Sequence, residues 1–216
     1  IDDGKVKKLL PSKYIKILGI CIDDELNWNK QTLQIKKKAS NSIRNLHRIN
    51  QLIPLKHRVL LYNSLVAPHY TYAETVWSGC AIANEKRLQV TQNFAVRSIL
   101  GRSKHSSATE ALRTLNFLPL SDKRKVHEAV YVHKAMNGRQ PKEITDQYNS
   151  YKPKQNPRTC KLATLNIPKH ATEQYKKSPM YRTIKTWNSI PEELRSETTT
   201  ATFKKKYQTH LINSKP

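Results

Sequence analysis

Glycine is scarce in this 216-residue chain, with 5 in all, and no glycine-rich phosphate-binding loop can be written from them. Cysteine is scarcer still. Cys21, Cys80 and Cys160 are far apart and odd in number, without a CxxC pair or a His at knuckle spacing, so a zinc site is not expected and reduced thiols in an intracellular protein are. Acids are few: 16 Asp and Glu face 39 Lys and Arg, for a net charge of +23. Asp2-Asp3 and Asp23-Asp24 are the paired aspartates, the kind of pair that can hold Mg²⁺ for phosphoryl transfer. The first reads as a charged terminus and the second as a turn after a strand. The eight His residues are scattered, and no Ser or Cys joins a His and an acid in a nucleophile motif. No run is long and apolar enough to span or anchor in a membrane. The opening IDDGKVKK is charged where a secretory leader would be apolar, and Ile1 is not Met, as expected of a piece of a longer product. Apolar residues make up 37%, low for one tight globule, so a good core is expected in the first two thirds and a looser remainder after it.

What the chain has in excess is positive charge. A surplus this large sets no fold, but it argues for a polyanionic partner, most simply nucleic acid. The densest apolar and aromatic stretch is PLKHRVLLYNSLVAPHYTYAETVW at 54–77. Leu61, Leu65, Tyr72 and Val76 recur there at helical spacing, with Tyr62, Val66, Ala73 and Trp77 widening the stripe. Pro68 predicts a kink or break and a second helical piece from about His69.

Ahead of that stretch, residues 5–22 read as strand, turn, strand, broken at Pro11-Ser12. Gly19 either lets a neighbouring backbone approach or relieves a crowded strand. Residues 28–50 predict a helix with Ile35, Ala39, Ser42, Ile43, Leu46 and Ile49 on one face. Lys30, Gln34, Lys37, Asn41, Arg44 and Arg48 fall on the other, without an acid between residues 30 and 50.

After the central stretch, residues 84–100 predict a helix ended by Gly101, and Ser107 to Glu110 form a capping box for a short helix to Leu115. Ser121 can cap a helix through Met136, ended by Asn137-Gly138. Residues 139–177 read as a basic linker, with an extended piece near 162–167; from 151 to 185 there are nine Lys or Arg and one acid, Glu173. Helical pattern returns over 178–190, at Pro191 and over 202–212.

Particular blocks then resemble a known family. SKYIKILGICIDDELNWNKQ resembles the segment after the catalytic palm in reverse transcriptases of non-LTR (LINE-type, jockey-like) retrotransposons: a Lys-Tyr-Leu-Gly-like strand, an Asp, then Leu-x-Trp and a helix. LYNSLVAPHYTYAETVW, LQVTQNFAVRSILG, LNFLPLSDKR, KTWNSIPEELR and FKKKYQTHL resemble later blocks of that family, in the same order and over nearly the whole chain. Ile15-Lys16-Ile17 is inserted into the first pattern, and Ile190 stands where Leu is usual before Pro191. The family's catalytic aspartates lie in an earlier Ala-Asp-Asp turn. Asp2-Asp3 is too close to Tyr14 to be that turn, and Asp23-Asp24 follows the strand instead of preceding it.

The expectation is therefore a mostly α chain with a small N-terminal β-hairpin. Its parts would be the hairpin at the end of a palm (1–27, primer-grip-like), a helical thumb-like bundle (28–103), an added helical layer (104–138) and a basic, looser region of linker and C-terminal helices (139–216). The resemblance implies the template–primer-binding part of an RNA-directed DNA polymerase, inactive alone and without catalytic or metal-binding residues of its own. Its partners would be RNA, DNA, an RNA–DNA hybrid and the parent's palm and fingers. No cofactor is expected in this piece, Mg²⁺ is expected for the full polymerase, no membrane is involved, and the location is nuclear and cytoplasmic. The nucleic-acid-binding candidates are Lys13, Tyr14, Lys16, Leu18 and Gly19 on the hairpin and Lys30, Lys37, Arg44 and Arg48 on the first helix. Alternatives are a host-adopted basic helical nucleic-acid-binding module and a basic scaffold for a protein or ribonucleoprotein.

Overall fold

The computed structural model describes residues 12–152 and 164–214. Asp2-Asp3, Pro11, Cys160 and the expected first strand before Pro11 lie outside the described residues. Two strands open the fold, β1 (Tyr14–Ile17) and β2 (Ile20–Asp23), antiparallel with Ile17 opposite Ile20. The turn between them is Leu18 and Gly19, at φ 48° and 84°. Both central residues lie in the left-handed region, the geometry whose twist matches a two-residue hairpin, and Gly19 adopts it without steric cost. The hairpin thus turns inside the run that reads as a single strand.

Helix α1 (Asn29–Ile49) follows. It has no side-chain cap of its own; instead the Asp23 carboxylate accepts the backbone N–H groups of Asn27 and Trp28, both at 2.7 Å. Ile35, Ala39, Ile43 and Leu46 are buried as their spacing requires, but Ile49 is exposed where α1 passes into a 3-10 turn over Asn50–Leu52.

The 54–77 stretch is more interrupted than its pattern predicts. It divides into α2 (Leu55–Leu61), a π turn over Tyr62–Val66, α3 (Ala67–Thr71) and α4 (Glu74–Trp77). Pro68 sits in the first turn of α3, where its missing N–H is harmless, and the wider π turn just before it absorbs the irregularity. A second break follows at Tyr72 and Ala73, the latter at φ 47°. The two breaks rotate the buried face. Tyr62, Val66, Tyr70 and Trp77 are buried, whereas Leu65, Tyr72 and Val76 of the expected stripe are exposed.

Helix α5 (Ile82–Ile99) lies along α1, with Leu88, Ala95 and Ile99 fully buried. Gly101, at φ 66°, closes it: Arg102 N–H reaches the Arg97 carbonyl and Gly101 N–H that of Ser98. Ser107 caps α6 (Ala108–Thr114) through the Glu110 N–H, as the capping box requires. Helix α7 (Leu120–Met136) starts after Pro119, not at Ser121, because the Gln89 side chain of α5 accepts the Leu120 N–H at 2.8 Å.

The remaining helices are α8 (Lys142–Asn149), α9 (Glu173–Lys176), α10 (Pro179–Asn188), α11 (Glu192–Arg195) and α12 (Thr200–Asn213). Helix α8 falls where a linker reads from composition; Tyr148 buries on α10, its hydroxyl 2.7 Å from Thr183. Leu165 is buried without regular structure, held by Asn188, whose Oδ1 accepts its N–H and whose Nδ2 donates to its carbonyl. The chain is thus mostly α with a small hairpin. Its main cores are one joining the hairpin, α1, α3 and α5, and one joining α7, α8, α10 and α12.

Candidate nucleic-acid interface

The hairpin stands out from the first core. Every residue of β1 is exposed, while Ile20 and Cys21 on β2 turn inward. Three contacts hold its angle. Cys21 N–H donates to Gln31 Oε1 at 2.9 Å, Gln34 Nε2 donates to Cys21 Sγ at 3.3 Å, and Tyr72 OH donates to the Leu18 carbonyl at 2.8 Å. The break that exposes Tyr72 is therefore what lets it tie the hairpin tip to the helices. A Cβ at Gly19 would meet only Tyr72, at 4.0 Å, so it is the turn's φ that requires glycine there.

Lys13, Tyr14, Lys16, Leu18 and Gly19 are exposed on this hairpin, and Lys30, Lys37, Arg44 and Arg48 are exposed along α1. The two groups meet where the Lys30 ammonium lies 3.8 Å from the centre of the Tyr14 ring. At 1.5 Å per residue the row from Lys30 to Arg48 is roughly 27 Å long. None of these four cations pairs with an acid among the described residues. Sequence explains this: between Glu25 and Glu74 there is no acid at all, and Glu74 is buried against Arg124 and His127.

Sequence reading misses a groove of about 350 Å³ beside the hairpin tip, between α1 and α3, lined by Leu18, Gly19, Gln34, Lys38, His69 and Tyr72. Lys36, Lys37 and Lys38 are consecutive, and at 100° per residue they cannot share one line; Lys38 turns toward this groove. His69 sits 3.2 Å from Ser42. Burial, helped by the Lys38 charge, holds its imidazole below the usual His range, which favours the neutral ring. The groove thus offers one ammonium, a neutral imidazole, a carboxamide and a phenol edge, a set suited to binding an anion and its polar surroundings. Among the described residues no three His, Cys, Asp or Glu side chains converge as metal ligands, and no helix is long and apolar enough to cross a membrane.

Over 119 residues, 54% of the chain, the sequence is 28% identical to a Drosophila melanogaster protein described as "Probable RNA-directed DNA polymerase from transposon BS". The chain spans 13% of that relative's length. It is thus distantly related to part of a transposon polymerase. No protein-family model matches the chain, and no solved structure matches it.

Proposed function

We propose that this chain is the template–primer-holding portion of an RNA-directed DNA polymerase of the non-LTR retrotransposon type, with the hairpin at the primer and the outward face of α1 along an RNA–DNA duplex. The observation that carries this reading is the acid-free row of Lys30, Lys37, Arg44 and Arg48, continuous with the exposed hairpin through the Lys30–Tyr14 contact. An ordinary solvated helix mixes charge signs; a row of one sign matches successive phosphates, which supply affinity without sequence information. A hybrid duplex presents a wide, shallow minor groove suited to such contacts. The distant polymerase relative supports the same reading. The groove at Lys38 and His69 would receive a backbone phosphate near the hairpin tip.

Chemistry would come from elsewhere in the parent protein, together with its Mg²⁺. The Asp23 carboxylate is engaged by two backbone N–H groups at the start of α1, a structural task that leaves it poorly placed as a metal ligand. The purified chain should incorporate no nucleotide on a primed RNA template with Mg²⁺. Nuclear and cytoplasmic residence and contact with a palm and fingers belong to the same proposal.

The test is the salt dependence of binding to a short RNA–DNA hybrid. Each phosphate contact contributes about 0.9 to the slope of log affinity against log salt for a B-form duplex. Lys37→Glu, Arg44→Glu and Arg48→Glu together should weaken binding and flatten the slope by roughly two to three units. A triple variant with the parent's affinity and slope would remove α1 from the interface.

A further inference from the structure

A second cleft, of about 150 Å³, opens at the junction of the two cores, where the π turn, the segment after α6, the start of α7 and the end of α12 come together. Its floor is buried: Leu118, Gln92 and the Tyr62 ring, which stacks on Phe117 at 5.1 Å. Its rim is exposed, with Asn63 on the π turn and Asn116, at φ 52°, closing α6. Lys123 and Gln208 form the walls and are half-buried.

The hydrogen bonding of these side chains is unequal. Gln92 is committed, donating to the Leu118 carbonyl at 3.0 Å and accepting from Gln89 at 2.8 Å. The side chains of Asn63, Asn116, Lys123 and Gln208 make no hydrogen bond or ion pair with any described residue. Three carboxamides and one ammonium therefore border a single cleft with their donors and acceptors free. Burial, and then the neighbouring Lys204, depress the basicity of Lys123, and the Glu74 charge offsets this only in part. The half-buried Lys123 ammonium has no ion-pair partner among the described residues and is available to an anionic group in the cleft.

We infer that this cleft holds one unpaired nucleotide of a single strand, its phosphate on Lys123 and its base over the Tyr62–Phe117 floor with its edge read by Asn63, Asn116 and Gln208. The volume decides between single strand and duplex, since the cleft can admit a single base but not a base pair in its stack. Carboxamides carry donor and acceptor together, the complement of a base edge, and the ammonium matches a phosphodiester oxygen. The site lies apart from the α1 row, which suits shape-reading of a duplex, so the two surfaces would take different parts of one nucleic acid. The inference rests on the nucleic-acid reading above.

The test uses the whole chain with labelled oligouridylate, oligothymidylate and the RNA–DNA hybrid, read by fluorescence anisotropy. Lys123→Met with Gln208→Leu should lower single-strand affinity about tenfold and flatten its salt slope by about 0.7, one phosphate contact on a single strand. Hybrid binding should stay at the parent's value. Preference for oligouridylate over oligothymidylate would place a 2′-hydroxyl in the cleft or keep the thymine methyl out of it, and equal binding would leave the phosphate and the shared base edge as the contacts; both keep the inference. Lys123→Met alone should leave the melting temperature unchanged or raise it, because it removes a half-buried charge that has no ion-pair partner among the described residues. Unchanged single-strand affinity, an equal loss on hybrid, competition by polyglutamate as strong as by oligouridylate, or a lowered melting temperature would each overturn the inference. If the parent chain binds hybrid but not single strands, this site falls while the duplex reading stands; if it binds neither, both fall.

Discussion

Between Glu25 and Glu74 the first core's surface carries no acid, whereas acids of α7 lie inside the second half of the molecule and along its seam with the first. Glu74, 4% exposed, meets Arg124 Nε at 3.3 Å and His127 Nδ1 at 2.6 Å, and Arg124 also reaches Glu85. Glu128, 7% exposed, meets Arg182 Nε at 3.2 Å and the Thr186 hydroxyl at 2.8 Å. Arg182 in turn donates to the Thr75 carbonyl, the Ser78 hydroxyl and the Lys177 carbonyl. Three carboxylates, Glu74, Asp122 and Glu128, are thus drawn into the packing between helices, while acids such as Glu110, Glu143 and Glu192 stay exposed. What these buried acids neutralise is internal, so they offset none of the exposed cations on α1. Buried pairs of this kind fix how elements sit and are weak as sources of net stability, but removing one partner strands the other.

The comparison breaks most sharply at Arg182. Arg182→Met leaves Glu128 as a buried charge and strips Ser78 and the Thr75 and Lys177 carbonyls of their donor, so unfolding in urea should show a loss of about 3–5 kcal/mol. A loss below 1 kcal/mol would mean the joint is solvated and does not hold α10 to α4. Next comes Gly79, where a Cβ would collide with the Lys177 carbonyl and the Arg182 guanidinium. Gly79→Ala should cost about 1–3 kcal/mol through overpacking at the same seam, and a neutral result in the same unfolding experiment would contradict the tight joint.

The alkaline limb comes third. Burial pushes the phenols of Tyr62, Tyr148 and Tyr207 up to about 12, and that of Tyr70 up further. In the unfolded chain they ionise near the ordinary value of 10.0, so their contribution is fully present below that pH and is lost as pH rises from about 10 to 12. Tyr148→Phe with Tyr207→Phe should flatten stability against pH across that window, most of all in the second core. An unchanged pH profile in circular dichroism would show that those rings already ionise freely. The smallest effect is on the other side of the comparison. Lys37→Glu, Arg44→Glu and Arg48→Glu should move folding stability by no more than about 0.5 kcal/mol, because these side chains are exposed and make no ion pair among the described residues, whereas the proposed function requires a large effect on hybrid binding.

Much of the architecture was legible because it is local. The α1 and α5 stripes, the Ser107 cap and the glycine closures at Gly101 and Gly138 each depend on residues within a few positions of one another. The basic row on α1 was legible for the same reason. The hairpin turn at Leu18-Gly19 was not, since alternating strand formers on both sides of a single Gly read as one strand. Nor was the groove at Lys38, His69 and Tyr72, which brings α1, α3 and the hairpin together from distant parts of the chain.

By itself, the sequence determined the helical character, the outward line of cations and the lack of acid beside them, because these follow from composition and from 100° per residue. Tertiary structure alone decided which aromatic residues of 54–77 are buried, since the π turn and the break at Ala73 change the phase of the face after each one. It decided that Gln89 caps α7, that Asn188 clasps Leu165 and that Gly79 admits Arg182. Each of these joins groups far apart in sequence, and a donor, an acceptor or a missing Cβ acquires its meaning only from the atom that the rest of the fold brings against it.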